Sequence, residues 1–441
     1  MTYNILDFGA VSDGNTVNTS AIQKAVDLCA KAGGGKVVVP AGTFISGTIW
    51  LKSNIEFCLE PGAILKGSPN LDDYNAEDAF PQNWSCPAEE WNGAHLFLAI
   101  GVENVLITGG GTLDGNGQHF FCDPKPFIPE SFIWRQGLAL AKDKKRLRPG
   151  QMLFFCESRN IRLEQISIQN SPCWTCFFYG CDNVFVSRIL INNPPYAANT
   201  DGINIDSCHQ VIVSDCQIIT GDDAIAIRAS PRHLTDKNRS CENIAISNCV
   251  LSSASSVFRI GVGNTTIQNI VISNIIILSG GVGFHFMASL SAKEEQGVTI
   301  SGISISNVRA RDVGHPFIVH GISRKAYSQV SDIVMDGFAI ECFANAIIAG
   351  TPNSRPHNIT LRNGTLKVIK NPVVLDDPAK YPEMLIQISS ADHISLQNVS
   401  ADYSASGPSH PKSTIQSDCT NVFLRDCQLE CRKSPFDASN R

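Results

Sequence analysis

A short unit recurs along this chain: a polar residue, most often Asn, then alternating apolar and polar residues, then a turn. It opens at Asn104, Asn160, Asn183, Gln210, Asn243, Asn269, Asp332, Asn358, His393 and Asn421, and at Val298 without the polar opener. Most openings lie about 23 to 35 residues apart. Alternation of period two marks half-buried strands. A unit this small cannot bury its own apolar face, so successive units must stack into a solenoid. The Asn at many of these openings suits either a side-chain ladder or a left-handed turn. The implied fold is all-β: a single-stranded parallel β-helix, with residues 1–441 as one domain. A propeller would repeat at about 40 residues and would lack this strand-turn-strand rhythm.

The ends and interruptions of the repeat carry their own signals. Residues Ser20 to Ala32 have helical apolar spacing and stop at Gly33, Gly34 and Gly35. A helix over about 19–32 would cap the open end of the solenoid, where strand edges would otherwise lie bare. Residues 72–96 and 118–150 break the repeat and read as inserted loops. The second carries Phe120, Phe121, Phe127, Phe132 and Trp134, with a basic cluster of Lys142, Lys144, Lys145, Arg146 and Arg148. Insertions of this kind emerge on one face of a solenoid and often wall a binding site.

Three carboxylates stand out. Asn199, Thr200, Asp201 and Gly202 precede one strand pattern, and Gly221, Asp222 and Asp223 precede another. From Asp201 to Asp222 is 21 residues, close to one circuit of a coil, so the acids would lie above one another on one face. Carboxylates held together cannot all ionise freely, and at least one pKa should rise. A protonated acid beside ionised partners is what glycoside hydrolysis requires. A lone Asp in a turn is ordinarily a capping residue; two acidic motifs one coil apart are not explained that way. Adjacent residues of a regular strand point to opposite faces, so Gly221 should begin a bend that lets Asp222 and Asp223 reach one cleft.

The net charge of -6 gives no reason to expect nucleic acid, and no apolar stretch is long enough for a membrane span. No basic-then-apolar signal is visible at Met1 to Ala10, which points to the cytosol unless the chain was trimmed. Sixteen cysteines fall largely inside or beside the strand pattern, as at Cys208, Cys216, Cys249, Cys427 and Cys431, and read as buried free thiols.

On these residues the chain resembles glycoside hydrolase family 28, the polygalacturonase and pectin-hydrolase family, over almost its whole length. The resemblance rests on Asn199-Thr200-Asp201 and Gly221-Asp222-Asp223. Asp7-Phe8-Gly9-Ala10, Gly111 to Gly115, and Asn170-Ser171-Pro172 with Trp174 are also similar to that family. It implies a right-handed, pectin-lyase-like solenoid and inverting hydrolysis, without metal or cofactor. Asp222 would be the general acid, and Asp201 and Asp223 would activate water. Asn199, Trp174, Ser256, Arg259 and His285 would contact an oligosaccharide. Without an export signal, that substrate would be imported and short, which favours exo action.

The chain also departs from the family. Ser256 stands where the family carries His, and Gly283 and His285 stand where Arg and Lys grip a uronate carboxylate. Arg259 is the residue that could restore a cation, and His285 would help only when protonated. Two other readings remain open: a non-catalytic carbohydrate-binding β-helix, and a lyase or epimerase acting on uronates. The first does not require a mutually repelling set of acids. The second usually needs Ca²⁺ or a Lys or Arg base.

Overall fold

A computed structural model describes residues 1–121, 148–288, 297–320, 328–369, 385–402 and 416–429. Phe127, Phe132, Trp134, Lys142, Lys144, Lys145, Arg146 and Cys431 lie outside the described residues. The strands form one 31-stranded sheet whose ladders between strands are parallel throughout. It is coiled into a right-handed parallel β-helix.

Each coil contributes a strand to each of three faces. The first face stacks Phe97–Ile100, Leu153–Cys156, Cys176–Tyr179, Ile203–Asp206, Ile225–Ala229 and Ser256–Gly263. The second face begins at the repeated openings, as in Arg159–Glu164, Asp182–Ser187 and His209–Ser214. The third holds Ser167–Gln169, Leu190–Asn192 and Gln217–Thr220. From Cys241 onward the corners straighten, and single strands such as Thr266–Met287 run across more than one face.

The repeat's alternation becomes stacked rows inside the coil. Ile161, Val184, Val211, Ile244 and Ile270 stand in register on successive coils, all nearly inaccessible. Aromatic rings stack likewise, with Phe258 over Phe284 at 5.0 Å and 1° between planes. Parallel stacking places like residues above like, so a small or branched residue at one level fixes what fits at the next. Most of the described cysteines are buried free thiols in these rows.

The Asn openings do both things expected of them. Asn104, Asn160, Asn183, Asn243 and Asn269 all sit at φ between 55° and 61°. Asn104 donates to Asn54 at 2.8 Å, Asn160 to Asn104 at 2.9 Å, and Asn183 to Asn160 at 3.1 Å. A second ladder, absent from the sequence reading, runs along another corner: Asn274 donates to Asn248 at 3.1 Å and Asn307 to Asn274 at 2.8 Å. These positions require both a left-handed backbone and an amide. Asn160→Ala should therefore destabilise the fold by about 1–3 kcal/mol, and Asn160→Gly, which tolerates φ of 56°, by clearly less. Chemical denaturation of the two variants checks this; equal losses would mean the backbone conformation contributes nothing.

The capping helix spans Thr19–Lys31 and buries Ile22, Ala25, Val26 and Cys29, the i, i+3, i+4, i+7 stripe, onto the first coil. The chain then turns at Gly34 and Gly35, at φ of 117° and 146°. A Cβ at Gly34 would lie 2.4 Å from the Asn54 carbonyl oxygen, and one at Gly35 2.6 Å from that of Met1. Only glycine fits there.

Segment 72–96 folds back over the outer side of the first face. Phe80, Trp84 and Trp91 pack on Leu98, Phe154, Phe177 and Tyr179. Trp84 also stacks flat on His233 at 4.8 Å. The inserted loop thus joins a second loop and closes the N-terminal side of that face.

Candidate active site

The acids enter where the third face turns into the first. Ile203 pairs with Ile225, a coil of 22 residues, one more than the Asp201–Asp222 spacing. Asp223, rather than Asp222, therefore continues the register of Asp201. The Gly202 amide donates to the Asp223 carbonyl at 2.9 Å, and the Thr175 amide to the Asp201 carbonyl at 2.8 Å. Between Gln217–Thr220 and Ile225–Ala229 the chain bends at Gly221 and Asp222, as the need to turn both acids one way required. A Cβ at Gly221 would fall 2.1 Å from the Ala197 carbonyl oxygen, so the bend depends on glycine packing against the Asn199 loop.

Hydroxyls fasten this bend. Thr200 Oγ1 accepts from the Gly221 amide at 3.1 Å and donates to the Ala197 carbonyl at 2.8 Å. Ser253 Oγ donates to the Asp222 carbonyl at 2.6 Å. The Asp222 carboxylate accepts from the Asp223 amide at 2.9 Å. Asp201, Asp222 and Asp223 are all buried.

Arg259, on the next coil, is committed to Asp223. Its Nη2 donates to Asp223 Oδ1 at 3.1 Å, and its Nε closes an ion pair on Oδ2. The Ser256 amide adds a third donor to Oδ1 at 3.2 Å. Burial disfavours the Arg259 charge, but the carboxylates of Asp223, Asp222 and Asp201 outweigh it and hold the guanidinium charged. Arg259 so placed fixes a carboxylate of the protein instead of waiting for one on a substrate.

His285 stands beside Arg259 in the sheet, its Nδ1 3.3 Å from Ser256 Oγ. Burial, with Arg259 adding to it, lowers its pKa to about 3 against the opposing pull of Asp223. It is a neutral imidazole near neutral pH and supplies no charge. Gly283 cannot be an ordinary residue, because a Cβ there would lie 2.5 Å from the Pro316 carbonyl oxygen.

The two remaining candidates lie at the edge of the acid cluster. Asn199 Oδ1 accepts from Arg148 Nη2 at 2.8 Å and serves to anchor its loop. Arg148 belongs to the basic cluster expected to wall a cleft, but it is fully buried. It donates to the carbonyls of Glu89, Pro172 (2.9 Å) and Ala198 (2.7 Å), tying the inserted segment to both loops that flank the site. Trp174 is almost covered, packed on Trp91 and lying under the Arg228 guanidinium at 4.8 Å. Sequence reasoning missed Arg228, Asn204 and Asp206, which share the outer side of the first face. Among the described residues, no group of three or more His, Cys, Asp or Glu is placed to hold a metal ion.

Comparison with known proteins agrees with this architecture. The model of "Glycosyl hydrolases family 28" matches residues 29–321. A probable polygalacturonase of Vitis vinifera is 31% identical over 232 residues, covering 51% of this chain and 44% of that protein. An endo-polygalacturonase of Pectobacterium carotovorum subsp. carotovorum is 28% identical over 358 residues, covering 78% of this chain and 83% of that protein. The solved family 28 exopolygalacturonase of Yersinia enterocolitica superposes with a TM-score of 0.71 at 20% identity, over 96% of this chain and 78% of that one. The chain spans less than half the length of the Vitis relative and most of the Pectobacterium one. With its site motifs inside the matched span, the chain belongs to glycosyl hydrolase family 28.

Proposed function

We propose that this protein hydrolyses O-glycosidic bonds in pectic oligosaccharides by an inverting, aspartate-based mechanism and works from the chain end. The observation that carries this reading is the stacking of the two acidic motifs on adjacent coils: Asp223 continues the register of Asp201, Asp222 precedes it at the bend, and Arg259 grips Asp223. Arg259 and the Ser256 amide direct three donors at the Asp223 carboxylate and hold it in place as the base. Asp222, at the bend one residue before Asp223, is the proton donor to the leaving oxygen. Asp201 and Asp223 together activate water on the opposite side of the sugar. A binding module gains nothing from such a set, because crowded carboxylates cost stability.

The exo mode is supported by the wall over the first face, where segment 72–96 and His233 meet. Known relatives include both an endo- and an exo-acting enzyme, so the mode must come from this chain's own loops. The many buried thiols suit a reducing compartment, and thus a short imported substrate.

Product analysis on oligogalacturonides and related pectic fragments is the test. Hydrolysis should yield saturated sugars whose new reducing end has the inverted anomeric configuration. On polymer, monosaccharide should appear with little loss of viscosity. An ultraviolet-absorbing unsaturated product would mean elimination, and rapid viscosity loss with random oligomers would mean endo action.

A further inference from the structure

Pectic sugars carry a carboxylate, yet the usual means of holding it is absent at Gly283 and His285, and Arg259 is already paired with Asp223. Among the described residues, Arg228 is a further cation on the same side of the same face. Arg228 follows Ala226 by two residues on Ile225–Ala229, and Ala226 is the register partner of Arg259. Residues two apart on a strand share a side.

The surroundings of Arg228 are unusual for a guanidinium. Its Cζ rests over the Trp174 ring, 4.8 Å from the ring centre. Its Nε is 3.7 Å from Asp206 Oδ2, near enough to balance charge but too long for a hydrogen bond. That Nε is buried without a hydrogen-bond partner among the described residues. Asp206 Oδ1 accepts from the Ser230 amide at 2.7 Å and from Ser207 Oγ at 2.9 Å, which fixes the carboxylate with Oδ2 toward Arg228. Trp174 and Asp206 therefore orient Arg228 without saturating its donors.

Asn204 adds a second, independent sign. It precedes Asp206 by two residues on the neighbouring strand and is the register partner of Ala226. Asn204 is fully buried, and among the described residues neither its amide oxygen nor its amide nitrogen has a partner. Buried polar groups are nearly always paired, so two such groups on either side of the small Ala226 mark a place where a partner is missing. An unsaturated guanidinium beside an amide matches the donors and acceptors of a uronic acid: a carboxylate for the fork, a ring hydroxyl for the amide.

We propose that Arg228 and Asn204 form the uronate-recognition subsite of this enzyme, with the substrate carboxylate on the Arg228 guanidinium and a hydroxyl of the same sugar on Asn204. Trp174 and Asp206 are positioning residues for Arg228. This inference rests on the hydrolase reading given above.

The test compares kcat/KM on an oligogalacturonate with kcat/KM on its methyl ester, which keeps the shape and loses the charge. Wild type should prefer the acid. Arg228→Gln should lower the acid-to-ester ratio by roughly 10- to 100-fold, the weight of a charge-assisted contact. Arg228→Lys should fall between, because a point charge replaces a fork. The double variant Arg228→Gln/Asp206→Asn removes the uncompensated buried acid, so it keeps the measurement valid should Arg228→Gln alone fold poorly. An unchanged ratio in folded variants, or a wild type that prefers the ester, overturns the subsite while leaving the hydrolase reading intact. A wild type that cleaves neither substrate overturns the hydrolase reading, and the subsite with it.

Discussion

Replacing Asp222 by asparagine should lower kcat by about 10²- to 10⁴-fold, the usual weight of a positioned proton donor. The amide keeps the size of the side chain and can still accept from the Asp223 amide, so the bend at Gly221 survives. What is lost is the proton for the leaving oxygen. Asp201→Asn and Asp223→Asn should be comparably severe, since each removes part of the group that activates water. Single-turnover rates on a short oligosaccharide, with melting temperature as the control for folding, decide the matter. An Asp222→Asn protein that turns over its best substrate at a near-normal rate would remove this residue from the chemistry.

Loss of Arg259 should have the largest combined effect on stability and activity. Its side chain and that of Asp223 are 14% and 5% exposed, and the pair is joined by two contacts. Taking one partner from a buried pair leaves an uncompensated charge, at a cost of about 3–5 kcal/mol. Arg259→Ala should therefore unfold at markedly lower denaturant and be nearly inactive. Arg259→Lys should recover part of the stability, having charge without the fork. The informative variant is Arg259→Met with Asp223→Asn: it removes both charges, so stability should return while activity stays lost. Full stability in the single alanine variant would show that the pair contributes nothing; recovered activity in the double variant would show that Asp223 is not needed.

The fold was legible because its signal is repeated. Asn openings, apolar alternation and the Gly33–Gly35 stop each rest on local backbone preference, and each appears in the structure where the residues place it. The second ladder was not legible, because Asn248 and Asn274 sit inside the continuous strands Cys241–Ser253 and Thr266–Met287. At the site, the three acids could be named but their register could not. A coil of 22 residues instead of 21 brings Asp223, not Asp222, above Asp201. The partner of Arg259 and the exposure of Arg148 also depend on packing across coils. A buried basic residue that bridges three segments looks, in sequence, like any member of a surface cluster.

The coil that separates the two acidic motifs has a bearing on how this enzyme can change over generations. Ile203–Asp206, His209–Ser214 and Gln217–Thr220 each pair with a strand on either side. A single residue gained or lost within those strands would turn an inward row outward. The step between the acids is therefore written as a chain length, and substituting side chains cannot adjust it. Insertions and deletions are confined to the corners, such as residues 193–200 and 230–240, or must come as whole coils. Length can vary there, while the spacing of the two acidic motifs stays fixed by the strands between them.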